Sequence, residues 1–176
     1  MKHLDLFSGI GGFALAVDSV WDSPEHTFCE TDPFCQRVIK KHWPESKIYG
    51  DIREIKEPIK AGLLTGGFPC QPVSSAGQRR GTKDDRWLWP EMYRVIRLCQ
   101  PRWVIAENVR GLLSLEGGLV FEQVCLDLEA SGYSVQAFIV PALAVNAPHR
   151  RDRIWVVAHS AFRSEERRVG KECRSR

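Results

Sequence analysis

An α/β fold on a mostly parallel sheet is what this 176-residue chain predicts, and three observations predict it. Short apolar runs alternate with stretches of helical period. Gly, Pro, Asp and Asn punctuate the joints between them. The last two runs follow one another with no helical stretch between. A helix between two strands carries the chain back to the end where the first strand began, so the alternation makes neighbouring strands parallel. Where the helix is missing, at 141–152, the final strand is expected to run antiparallel.

The strands are read at 3–7 (HLDLF), 26–29 (HTFC), 61–66 (AGLLTG), 102–107 (RWVIAE), 134–140 (SVQAFIV) and 153–158 (RIWVVA), with helices at 11–21, 33–42, 88–99 and 119–131. Asp32-Pro33 supplies a cap and a first-turn proline for the second helix. In the fourth, Val120, Val124, Leu126, Leu128 and Ala130 are the expected apolar face, and Ser131-Gly132 ends it. No repeat or linker interrupts residues 1–162, which read as one domain.

Composition narrows the function classes. With 43% hydrophobic and 27% charged residues the chain is an ordinary globular one. No run of 18 apolar residues suggests a membrane span, and the N-terminus meets an acid and glycines too early for a signal peptide. That predicts a cytoplasmic protein. The six cysteines form no C-x-x-C pair and have no histidine at finger spacing, so neither a metal site nor a disulfide framework is expected. Most should be buried small hydrophobes. The net charge of +3 says little about nucleic acid. Six of 25 Lys/Arg and three of 22 Asp/Glu lie in 163–176, leaving 19 of each elsewhere. That final stretch, RSEERRVGKECRSR, reads as the translation of a sequencing adapter and is set aside as a non-native tail.

Six constellations follow strand ends, where sheets of this kind place ligands. Asp5-Leu6-Phe7-Ser8-Gly9-Ile10-Gly11-Gly12-Phe13 is a strand running into a glycine turn that opens a helix. Glu30, before the capping Asp32, suits two ribose hydroxyls, and Asp51, after a short strand, suits an amino group on a purine. Thr65-Gly66-Gly67-Phe68-Pro69-Cys70-Gln71-Pro72-Val73-Ser74 presents a thiol on a Gly-Gly turn between prolines, as a nucleophile requires. The polar stretch that follows, with Ser74, Arg79, Arg80 and Arg86, suits a DNA phosphate backbone. Glu107-Asn108-Val109 ends an apolar strand and places a carboxyl group of raised pKa at the sheet mouth. Pro148-His149-Arg150-Arg151-Asp152-Arg153 opens the last strand with basic residues.

Taken together, DLFSGIGGF, GGFPCQPVS, ENV and HRRDR resemble the DNA cytosine-5 methyltransferase family in order and spacing over essentially all of residues 1–159. The resemblance implies a Rossmann-like methyltransferase fold in which Phe7, Gly9, Gly11, Glu30, Asp51, Pro69 and Leu88 surround S-adenosyl-L-methionine. It implies Cys70 as nucleophile, Glu107 and Arg153 around a flipped cytosine, and Arg151 in support. Double-stranded DNA is the implied partner of a bacterial or phage-encoded enzyme, monomeric at full length. Thr31 and His149 depart from the family pattern, which has a large apolar residue and a glutamine at those places. The family's target-recognition region and last blocks fall beyond residue 160, where this sequence shows no counterpart. A cofactor-binding fragment without catalysis, or an RNA cytosine methyltransferase, are the alternative readings. Segments of the family beyond residue 160 pack beside the first helix, so apolar surface is expected there.

Overall fold

A computed structural model describes residues 1–69 and 87–160. Seven strands form one sheet: β1 (Lys2–Leu6), β2 (Glu25–Cys29), β3 (Lys47–Tyr49), β4 (Leu63–Gly66), β5 (Trp103–Val109), β6 (Tyr133–Pro141) and β7 (Asp152–Ser160). Their spatial order is β3-β2-β1-β4-β5-β7-β6. β1 to β5 pair in parallel, and β7 lies antiparallel between β5 and β6, as the missing crossover helix predicts. The strand order reverses between β1 and β4, which opens a crevice at their carboxyl ends.

Four helices pack on the sheet: α1 (Gly12–Asp18), α2 (Pro33–His42), α3 (Trp89–Cys99) and α4 (Leu119–Ala130). α2 starts where its cap residues dictate, with Asp32 Oδ1 accepting from the amides of Phe34 (2.6 Å) and Cys35 (3.3 Å). α1 stops three residues earlier than its apolar pattern suggests. The amides of Val20 and Trp21 both turn back to the carbonyl of Val17, and Ser23 adopts φ +48° to lead into β2. Glu107 to Val109 lie within β5 rather than after it, and a short 3-10 turn, Ala142–Val145, occupies part of the 141–152 connection. In α4, Val120, Val124 and Leu128 are buried, whereas Leu126 and Ala130 face solvent. The apolar positions contain two interleaved series, each recurring every four residues on a different side of the helix, and only one side can face the sheet.

Strand alternation gives the sheet two unlike faces. On one, Leu4, Leu6, Leu64, Val104, Ala106 and Ile154 meet Trp89, Met92 and Ile96 of α3 and Val124 and Leu128 of α4 in the main core. Each fully buried side chain of this size contributes about 1.5–3 kcal/mol. On the other, α1 and α2 cover only a small cluster of Ala14, Phe28 and Ile39 with Trp43 against it. The apolar surface expected beside the first helix is present: Leu15, Val20, Trp21, Phe138, Leu143 and Val145 are exposed.

Candidate cofactor cavity and catalytic edge

At the carboxyl ends of β1 to β4 the chain builds a cavity of about 180 Å³ walled by Phe7, Cys29, Glu30, Thr31, Asp51, Ile52, Pro69 and Leu88. Five of the seven residues expected around a cofactor thus meet in one place. Phe7, which lines the cavity, leaves β1 at φ +54°, a backbone angle that non-glycine residues rarely adopt. Glu30 is fixed by two backbone amides: Gly9 N donates to Oε2 at 2.7 Å and Asp32 N to Oε1 at 2.8 Å. A carboxylate has about four acceptor positions, so two remain. Asp51 accepts from the amide of Arg53 at 2.8 Å and so caps the turn after β3. That turn is held from below by Arg94 of α3, whose Nη1 and Nη2 donate to the carbonyls of Ile55 (2.7 Å) and Ile52 (2.9 Å).

The two remaining glycines part company. Gly9 stands beside the cavity through its bond to Glu30, and a Cβ built on it meets nothing within 4 Å. Gly11 does not line the cavity. It precedes α1 at φ +90°, and a Cβ there would lie 2.5 Å from Trp43 Cζ3. Its place in the turn is set by the Trp43 ring packed against it.

The second half of the site lies at the ends of β5 and β7, which pair Glu107 with Trp155 and Val109 with Arg153. Arg153 Nε lies 2.7 Å from Glu107 Oε1, both side chains being about three-quarters covered. Burial raises the Glu107 carboxyl above the usual carboxylate range, and the guanidinium groups of Arg153 and Arg151 oppose that rise without cancelling it. Its other oxygen, Oε2, faces Gly67, where a Cβ would approach to 3.2 Å. Arg151 sits at φ +36° and, with Glu107 and Arg153, borders a larger apolar groove of about 760 Å³ running along α1, β6 and β7. The adjacent Asp152 pairs with Arg110 and Arg150, which holds the entrance of β7.

Asn108 is a residue that reading the motif left without a role. It is buried, and its Nδ2 donates to the carbonyl of Phe68 at 2.9 Å, tying β5 to the segment that leads into Cys70. The sequence carries only a weak signal for it, an amide directly after an apolar strand, and its burial follows from β5 running on to Val109. Cys70, Ser74, Arg79, Arg80 and Arg86 lie outside the described residues, as does the 163–176 tail. Of the described cysteines only Cys29 is buried outright; Cys35, Cys99 and Cys125 are half-buried, which corrects the expectation that most would be core residues. Burial pushes the Cys29 thiol up to about 12 and raises the other three, so none of these four is an activated nucleophile. Among the described residues no helix is long and apolar enough to cross a membrane, and no group of three or more His, Cys, Asp or Glu could hold a metal ion.

The family model for C-5 cytosine-specific DNA methylases matches residues 1–172. This chain belongs to that family. Among curated relatives, the type II methyltransferase M2.BsuMI of Bacillus subtilis is 35% identical over 163 residues, covering 90% of this chain and 42% of its own length. M.HhaI of Haemophilus parahaemolyticus is 32% identical over 160 residues, covering 89% and 48%. The solved structure of Spodoptera frugiperda DNMT2 superposes with a TM-score of 0.70 at 23% identity, over 90% of this chain and 50% of that one, which establishes the shared fold. The chain spans about half, or less, of the length of these relatives.

Proposed function

We propose that this methylase-family chain binds S-adenosyl-L-methionine in the cavity at the ends of β1 to β4 and supports methyl transfer to carbon 5 of cytosine in double-stranded DNA. The donor set of the cavity fits such a group. Glu30 keeps acceptor capacity for two hydroxyls, Asp51 offers a carboxylate to an amino group, and Phe7, Ile52, Pro69 and Leu88 provide apolar walls for a ring. When bound, the cofactor supplies an electrophilic methyl group.

The observation that carries the reading is the Glu107–Arg153 pair, 2.7 Å apart at the sheet edge nearest the Gly67–Pro69 segment. Carbon 5 of cytosine is a poor nucleophile and must first be activated. The thiolate of Cys70, one residue beyond Pro69, adds to carbon 6. Glu107, protonated at Oε2, donates to ring N3 and offsets the charge that develops there, while Arg153 holds Glu107 Oε1 and the base carbonyl. Once carbon 5 carries the methyl group, a base takes the carbon 5 proton, and β-elimination re-forms the 5,6 double bond as the C–S bond breaks and releases the Cys70 thiolate. The base must be extruded from the duplex first, at a cost of a few kcal/mol. The basic residues Arg79, Arg80 and Arg86 are assigned to the DNA backbone on sequence grounds.

Cys70→Ala in a form extended through the target-recognition region tests this. Loss of radiolabelled methyl transfer to DNA with cofactor binding intact supports the reading, and undiminished transfer overturns it. The coverage of relatives, 42% and 48% of their lengths, favours a second reading for the 176 residues alone. In that reading they bind the cofactor without transferring methyl. A cofactor titration beside a transfer assay on this same chain separates the two.

A further inference from the structure

Under α1 a row of five side chains crosses the sheet without a break. Asp18, the last residue of α1, places Oδ1 2.9 Å from His26 Nε2 and accepts from Trp43 Nε1 on Oδ2 at 2.9 Å. His26 Nδ1 lies 2.8 Å from His3 Nδ1, and His3 Nε2 lies 2.8 Å from Thr65 Oγ1. Thr65 Oγ1 lies 2.6 Å from Asp5 Oδ1. His3, His26, Thr65 and Asp5 are all buried, and Asp5 Oδ2 has no hydrogen-bond partner.

Counting protons restricts the row. The Asp18 carboxylate only accepts, so His26 Nε2 carries a proton. One proton bridges the two Nδ1 atoms. Two more serve the His3–Thr65 and Thr65–Asp5 links. Four protons satisfy every bond, and they can be placed in two ways. Either His3 Nε2 donates to Thr65 and Thr65 to an ionised Asp5, leaving a cation shared by the imidazoles. Or Asp5 carries a proton, its O–H donates to Thr65, Thr65 donates to His3 Nε2, and both imidazoles are neutral. The first arrangement buries a carboxylate oxygen with no donor; the second leaves only a carbonyl oxygen bare, which costs far less.

We infer that the row is a four-proton latch, with both imidazoles neutral and Asp5 held as a carboxylic acid, that pins the end of α1 to the sheet beneath the Phe7–Gly9 turn. Asp5 is then a positioning residue. Ser8 Oγ donates to its main-chain carbonyl oxygen at 2.7 Å, which ties the turn under the cavity to the strand end that carries Asp5. Glu30 acts electrostatically on Asp5, and His26 and Asp18 act in opposite senses on His3. Burial pushes the Asp5 carboxyl up to about 7, with Glu30 adding to the rise and the Thr65 bond opposing it. Burial and His26 push His3 down to about 3 against the pull of Asp18. Cys29, nearby, stays a neutral thiol. The latch stands on the hydrogen-bond geometry alone; its bearing on ligand affinity rests on the cavity being the cofactor site.

Nitrogen-15 NMR of the histidines in the whole 176-residue chain at pH 6.5 tests the proton placement. The expected result is His3 protonated on Nδ1 alone and His26 on Nε2 alone, with an infrared band of a protonated carboxyl group that Asp5→Asn removes. A His3–His26 cation with every Asp ionised would overturn the inference. Titration with S-adenosyl-L-methionine is the second arm. An Asn amide N–H can donate to Thr65 as the acid does, so D5N keeps its affinity within about twofold at pH 6. The wild type weakens by roughly tenfold as pH rises from 6 to 9 and Asp5 ionises, whereas D5N does not. Affinity lost in folded D5N at pH 6 would show that the carboxylate is what the site needs and would sink the latch. No binding by wild type at any pH, with the expected tautomers present, would instead remove the cofactor reading and leave the latch standing.

Discussion

Adding one methyl group to Gly11 or to Gly9 should have very different consequences, although the two residues stand two positions apart in the same turn. At Gly11 the backbone sits at φ +90°, and a Cβ would fall 2.5 Å from Trp43 Cζ3 and 2.8 Å from Cη2. The indole is not free to retreat. Its Nε1 donates to Asp18, and the rings of Phe28 and His26 lie 5.3 and 5.8 Å from it. A left-handed alanine costs about 1–2 kcal/mol and overpacking about 1–3 kcal/mol, so Gly11→Ala should lose about 2–5 kcal/mol. At Gly9, φ +54° with open space around the Cβ, only the backbone cost of about 1–2 kcal/mol applies. Thermal denaturation of the two variants reads this directly, at roughly 2–4 °C per kcal/mol for a chain of this size. Gly11→Ala should melt clearly below Gly9→Ala, while Gly9→Ala, beside Glu30, should be the one that alters cofactor affinity. Equal melting temperatures would refute the assignment of Gly11 to packing.

Other expectations concern the site and its protons. Glu107→Gln removes the group placed at N3 and should lower kcat of an extended enzyme by roughly a hundredfold or more with cofactor affinity little changed; a defect confined to cofactor binding would reassign the residue. Thr31→Leu adds apolar surface at the cavity wall and should tighten cofactor binding several-fold, about 1 kcal/mol, by titration; weaker binding would show that Thr31 is not beside a ring. Asp5 and His3 should balance each other against pH. Asp5, raised to about 7, contributes stability that is full below its unfolded pKa near 4 and is lost as pH rises through 7. His3, lowered to about 3, contributes stability that is full above its unfolded pKa near 6.5 and is lost as pH falls through 3. Between pH 4 and 6.5 the slopes cancel, so Asp5→Asn should lose about 1 kcal/mol per pH unit on acidification relative to wild type. Parallel denaturation curves over that range would contradict this.

Much of the molecule is legible in its sequence. The strand–helix alternation, the cap at Asp32 and the antiparallel last strand follow from the order of elements and from residues a few positions apart, whereas the gathering of Phe7, Glu30, Asp51, Pro69 and Leu88 is what the family resemblance implies. The boundaries of α1 and the buried face of α4 were less well read, because an apolar pattern shows which residues can be covered and not which neighbour covers them.

The sequence alone determined the α/β layering, the strand ends as the place for chemistry, and the presence of polar residues, His3 and Asp5, inside a strand that is otherwise apolar. Only the tertiary structure decided their partners. Asn108 reaches a carbonyl 40 positions away, and the His3–Thr65 and Asp5–Thr65 contacts span 62 and 60. It also divided the glycine turn, giving Gly9 to the cavity and Gly11 to Trp43. The reason is that local preference acts over a turn or two of chain. Partners that lie far apart in sequence are chosen when the sheet settles into the register that buries its apolar faces and leaves the fewest polar atoms bare.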